Sequence, residues 1–160
     1  MPFSKPVVLI TEGAFERAFG DAQKYADKSE RGGILVGLRR GKHVHIEHVT
    51  LPSKWDFSSR FSFTRSTEGH QPFATKQWAT TNGTSDWVGE WHSHPEPIPK
   101  PSSIDLDSWR RITAFHGKPM VFLIFGFNGL WLGVMTPGNT RPEEYAMTEK
   151  GPLGLAFEPA

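Results

Sequence analysis

Hydrophobic positions along this chain alternate between helical spacing and short runs bounded by glycine. Phe15, Ala18, Phe19, Ala22, Tyr25 and Ala26 recur at offsets of three and four, which predicts a helix capped by Thr11 and ending near Lys28. Gly32-Gly33-Ile34-Leu35-Val36-Gly37-Leu38 is an apolar run between glycines and predicts a buried strand. After a polar turn over Arg39-Arg40-Gly41-Lys42, Val44, Ile46 and Val49 alternate with polar residues, as in a half-exposed strand paired to the one before. Trp87 to His92 reads as a further strand, ending in a proline-rich loop from Pro95 to Pro101. Ile104 to Phe115 carries Trp109, Ile112 and Phe115 at helical spacing. Met120 to Phe127 and Leu130 to Met135 form two strands joined by Asn128-Gly129, a hairpin signal.

The stretch from Leu51 to Asp86 is less regular. Phe61, Phe63 and Arg65 alternate as a strand does, His70 to Thr81 has helical offsets, and Asn82-Gly83 breaks the pattern. Pro137, Pro142, Pro152 and Pro159 mark the end of the chain as a loose wrap. Helices interleaved with strands predict one α/β domain, a mixed β-sheet with helices packed on it. The expected division is a folded domain over 1–136 and a proline-rich tail over 137–160, packed on that domain or trailing from it.

Composition narrows the chemistry. The 160 residues include no cysteine, which excludes disulfides, cysteine-based zinc sites and a thiolate nucleophile. A net charge of +1 offers no basic tract for nucleic acid or a membrane surface. Val7 to Ile10 is too short for a signal peptide, and Met120 to Phe125 is far short of a membrane span, so a cytoplasmic protein is expected.

The chemistry concentrates in His92-Ser93-His94-Pro95, followed by Ser102 and Asp105. Two histidines at a strand end and a carboxylate from the start of the next helix can converge on one ion. Two imidazole nitrogens and one carboxylate oxygen suit zinc, and a fourth position left open makes such a site catalytic. Zinc brings the pKa of water to about 7, and the reaction then needs a nearby base and a donor for the oxyanion.

The pattern His-x-His, seven residues, Ser, two residues, Asp resembles the JAMM motif of the JAB/MPN metalloprotease family. Gly89-Glu90-Trp91-His92-Ser93-His94-Pro95 is similar to the form common in its prokaryotic branch, and Glu30 before Gly32-Gly33-Ile34-Leu35-Val36-Gly37 stands where that family has a glutamate. The resemblance covers Phe15 to Met135. It implies a cytidine-deaminase-like fold, zinc on His92, His94 and Asp105, Glu30 as the base that later protonates the leaving amine, and Ser102 as the oxyanion donor. It also implies hydrolysis after the C-terminal residue of a ubiquitin-like protein, releasing a conjugated target, as in bacterial antiphage operons of the CBASS type. A metal-free MPN scaffold and a peptidase or amidase for small substrates stay open beside this reading.

Simpler explanations exist for several of these residues. Ser102-x-x-Asp105 matches a capping box, compatible with ligation by Asp105. His43, His45 and His48 lack a carboxylate at a useful offset and read as a solvated strand edge. Glu90 competes with Glu30 for the base role, or serves as a partner of a ligating histidine. The tryptophans are read first as core. The segment Phe57 to Arg65 is the candidate sheet edge for an extended substrate tail.

Overall fold

The computed structural model describes residues 5–26, 30–52, 57–58, 63–64 and 85–160. In chain order these form β1 (Val8–Ile10), α1 (Glu12–Lys24), β2 (Gly32–Arg40), β3 (His43–Val49), β4 (Phe57–Ser58), β5 (Phe63–Thr64) and β6 (Asp86–Ser93). After them come α2 (Ser103–His116), β7 (Met120–Phe125), β8 (Leu130–Met135), β9 (Glu143–Gly151) and β10 (Gly154–Pro159). The expected helix over His70 to Thr81 and the break at Asn82-Gly83 lie outside the described residues. So does most of the candidate edge from Phe57 to Arg65, of which β4 and β5 pair as a separate antiparallel ribbon.

The main sheet is mixed, as expected, with β1–β3 and β6–β7 parallel and its other neighbours antiparallel. It also closes on itself in the order β1-β10-β9-β8-β7-β6-β2-β3, which the sequence pattern did not announce. All six residues of β7 are buried because the sheet is covered on both faces. Leu35, Val121, Leu123 and Phe125 join the core built with Phe15, Ala18 and Ala22 of α1. Ile34, Val36, Phe122 and Ile124 join a second core built around Trp109 of α2.

Parallel neighbours cannot be joined by a tight turn. The chain leaving β6 therefore crosses over through the proline-rich loop and α2 before entering β7, and the first turn of α2 follows directly from that loop. Thr11 caps α1, its hydroxyl accepting from the Ala14 N–H at 3.4 Å. Gly117 ends α2 in the left-handed region, at φ 66°.

Three expectations need correction. The end of the chain is not a loose wrap: β9 and β10 close the barrel, β10 pairing with β1. Of the nine residues of β9 only Tyr145 is buried, so its sequence lacks strand alternation, and the prolines fall in turns or at strand ends. The His43–His48 segment is not a sheet edge, because β3 has β1 on one side and β2 on the other. His43 Nδ1 accepts from the Val7 N–H at 3.0 Å. The β7–β8 connection is also longer than Asn128-Gly129 alone. β7 stops at Phe125, and the Gly126 N–H donates to the Gly129 carbonyl at 2.8 Å.

That turn is pinned to the proline-rich loop. The N–H groups of Phe127 and Asn128 donate to the carbonyls of Glu96 and Pro97, each at 2.9 Å. A Cβ on Gly126 would stand 2.6 Å from the Glu96 oxygen and 2.7 Å from that of Pro97. Gly126→Ala is expected to lower stability by about 1–3 kcal/mol through this backbone clash. Urea unfolding reads the change, and an unaltered midpoint would contradict the contact.

Candidate metal centre

β6 delivers two histidines at its C-terminal end. His92 is the last but one residue of the strand, opposite Gly32, and His94 follows it with its N–H donating to the Phe125 carbonyl at 2.9 Å. Ser93 between them faces the segment before β2. Its N–H donates to the Arg31 carbonyl and its Oγ accepts from the Arg31 N–H, both at 2.9 Å. Arg31 in turn reaches α1 through a two-pronged ion pair with Asp21 at 2.8 and 3.0 Å, and lies over the Tyr25 ring at 3.9 Å. Glu30 is thereby held next to the histidine pair, its carboxylate 4.0 Å from His94 Nε2.

The third element is the first turn of α2. Ser102 is the N-cap and Asp105 completes a capping box. The Ser102 N–H donates to Asp105 Oδ2 at 2.8 Å, and the Asp105 N–H donates to Ser102 Oγ at 3.1 Å. The same carboxylate faces both imidazoles, with Oδ1 3.3 Å from His92 Nε2 and Oδ2 3.1 Å from His94 Nε2. Capping and facing the histidines are therefore simultaneous.

The two Nε2 atoms are 2.9 Å apart, so at most one of them carries a hydrogen toward the other. With Asp105 they form the only group among the described residues whose ligand atoms, all within 4.8 Å of one another, could hold a metal ion. Two imidazole nitrogens and one carboxylate oxygen, gathered at the wall of an open groove, fit zinc with a coordination position to spare.

The electrostatics separate the two carboxyl groups. Burial pushes the Glu30 carboxyl up to about 7, against the lowering influence of His94, while Asp105 and Glu96 add to the rise. Burial also opposes ionisation of Asp105. Hydrogen bonds from His92 and His94 outweigh it and keep that carboxyl far below the usual range. Burial disfavours the His94 imidazolium, but its bonds to Asp105 and Glu96 prevail and raise its pKa.

All five residues singled out from the sequence line one groove of about 820 Å³. Glu90 also lines it, as do Ile104 and Arg111 of α2. Trp91 and Trp109 are almost wholly buried beneath it, Trp109 stacked on Phe122 at 4.5 Å. Sequence reasoning missed Glu96, whose Oε1 is 3.1 Å from His94 Nδ1. Its position two residues after His94 was the available signal.

Comparison with known proteins agrees with this geometry. Residues 14–145 match a family model described as prokaryotic homologs of the JAB domain. A Pseudomonas aeruginosa protein named CD-NTase/cGAS isopeptidase is 37% identical over 122 residues, covering 75% of this chain and 77% of that protein. Proteins of the same name from Escherichia coli and Vibrio cholerae are each 36% identical. The first match covers 82% of this chain and 83% of its relative, the second 79% and 81%. The solved structure of protein DSY2949 from Desulfitobacterium hafniense shares the fold, with a TM-score of 0.63 at 21% identity over 86% of this chain and 88% of that one. With a family match that runs from α1 into β9 and takes in the whole groove, this chain belongs to the prokaryotic JAB-domain family.

Proposed function

We propose that this protein is a zinc-dependent JAMM-type isopeptidase. It hydrolyses the bond after the C-terminal residue of a ubiquitin-like protein and frees a conjugated target, in a bacterial antiphage system of the CBASS type. The observation that carries this reading is the meeting of His92, His94 and Asp105 beside the buried Glu30. Relatives named CD-NTase/cGAS isopeptidase support the reaction class and suggest an enzyme of that kind as the conjugated target. No helix among the described residues is long and apolar enough to cross a membrane, and a cytoplasmic setting suits such a system.

In this reading His92, His94 and Asp105 hold the zinc, which when bound polarises water and the scissile carbonyl. Before the ion binds, hydrogen bonds from the two imidazoles already hold Asp105 as an anion, so a carboxylate stands ready to ligate. Burial raises the Glu30 carboxyl to about 7 in the metal-free site, the direction that makes a carboxylate a better proton acceptor. It takes the proton of the attacking water and delivers it to the leaving amine. The Ser102 Oγ accepts from the Asp105 N–H, which leaves its hydroxyl hydrogen available to the oxyanion.

The decisive experiment combines elemental analysis with cleavage of a ubiquitin-like fusion. About one zinc per chain and cleavage abolished by a chelator are expected. Cleavage that survives complete zinc removal counts against the reading, and a zinc-free, inactive protein favours the scaffold. Competition by the intact ubiquitin-like protein separates a protein-directed enzyme from one acting on small amides.

Two substitutions test the roles. Glu30→Gln is expected to slow turnover on the order of 10²–10⁴-fold with zinc stoichiometry intact. Glu90→Gln should leave most activity, and the reverse ranking would move the base to Glu90. Ser102→Ala is expected to lower kcat roughly 10²–10³-fold through the lost oxyanion donor. It should also reduce stability by about 1 kcal/mol through the lost cap. A stability loss with kcat unchanged would leave Ser102 as a cap alone.

A further inference from the structure

Glu96 sits in the proline-rich loop between the two sources of metal-facing residues. Its Oε1 is 3.1 Å from His94 Nδ1 and accepts from the Lys100 N–H at 3.0 Å. One carboxylate oxygen thus touches the ring of a histidine and the backbone leading to Ser102 and Asp105. Its own backbone is fixed by the bond from the Phe127 N–H to the Glu96 carbonyl and by the close approach of Gly126. The carboxylate is presented from a clamped main chain, not from a free surface loop.

We infer that Glu96 is a positioning residue for the metal centre, holding the hydrogen of His94 on Nδ1 so that Nε2 offers its lone pair to the ion. This rests on the zinc reading of the site. A neutral imidazole has one N–H and one acceptor nitrogen, and the partner of the N–H decides which is which. With Nδ1–H donating to Glu96, the free lone pair lies on Nε2, the atom facing His92 and Asp105. The bond also fixes the ring plane, and the Lys100 contact couples that plane to the loop that brings Asp105. Carboxylate partners of this kind typically govern metal affinity by 10–100-fold.

The test is zinc affinity measured by chelator competition, with the absorption spectrum of the cobalt-substituted protein as a second readout. Glu96→Ala should weaken zinc binding about 10–100-fold and alter the cobalt spectrum. Glu96→Gln, whose amide oxygen still accepts from both N–H groups, should recover most of the affinity. The Glu96 side chain is 43% exposed, so unfolding of the metal-free proteins should be little changed and serves as the folding control. Zinc affinity in Glu96→Ala equal to the parent's overturns the inference while leaving the zinc reading intact. Equal weakening in Ala and Gln overturns it as well, and a parent that takes up no zinc removes both.

Discussion

The parallel pairing of β6 with β7 is the constraint from which the site follows. Two adjacent parallel strands force the chain to travel back along the sheet, and here α2 makes that journey. The outgoing loop starts at the end of β6, where His92 and His94 stand, and the helix enters with Ser102 and Asp105. Trp109 anchors α2 on the second core, stacked between Phe122 at 4.5 Å and Trp131 at 5.5 Å. Hydrophobic burial along α2 thereby sets the height at which Asp105 meets the imidazoles. Four prolines between Pro95 and Pro101 restrict the backbone that spans the gap.

Asp105 shows how economically the crossover is used. A helix N-terminus has unsatisfied N–H groups and favours a nearby anion. The capping box meets the first need through Ser102 and the second through the carboxylate of Asp105. That same carboxylate turns its oxygens toward His92 and His94, so the cap fixes its rotamer for the second task. Caps and ligands often compete as explanations for a Ser-x-x-Asp sequence. In this helix one conformation completes the cap and turns the carboxylate to both imidazoles.

Elements with two-sided burial or a helical stripe were legible in the sequence, as were the residues gathered at the site. Met120 to Phe125 reads as a strand because both faces need apolar side chains, and α1 shows its stripe because one face meets the barrel. The His-x-His spacing and Asp105 were visible because a group able to hold a metal ion needs particular residue types at particular offsets. Closure of the sheet was not legible. It depends on β9, whose stability comes from backbone pairing to β8 and β10 and leaves almost no apolar signature. The histidines of β3 misled for a related reason: exposure of side chains on one face does not reveal whether a strand has neighbours in the sheet plane. Glu96 escaped notice because its bond to His94 depends on the path of the proline-rich loop, which is set by the distant turn after β7.

The arrangement around the histidines separates two carboxyl groups that lie in the same groove. Asp105 is desolvated, yet two imidazoles and a backbone N–H hold it as an anion. Glu30 is desolvated, with His94 favouring its charge and nearby acidic groups pushing it further toward the neutral form. An environment that drives two carboxyls apart in this way sets a fixed charge beside a group able to exchange a proton near neutral pH. Ser93 makes the division structural. By bonding the backbone N–H and carbonyl of Arg31 from between the histidines, it brings Glu30 to the groove through a separate segment of chain, anchored to α1 by the Arg31–Asp21 ion pair. The Glu30 carboxyl can therefore change protonation without disturbing the helix cap that holds Asp105.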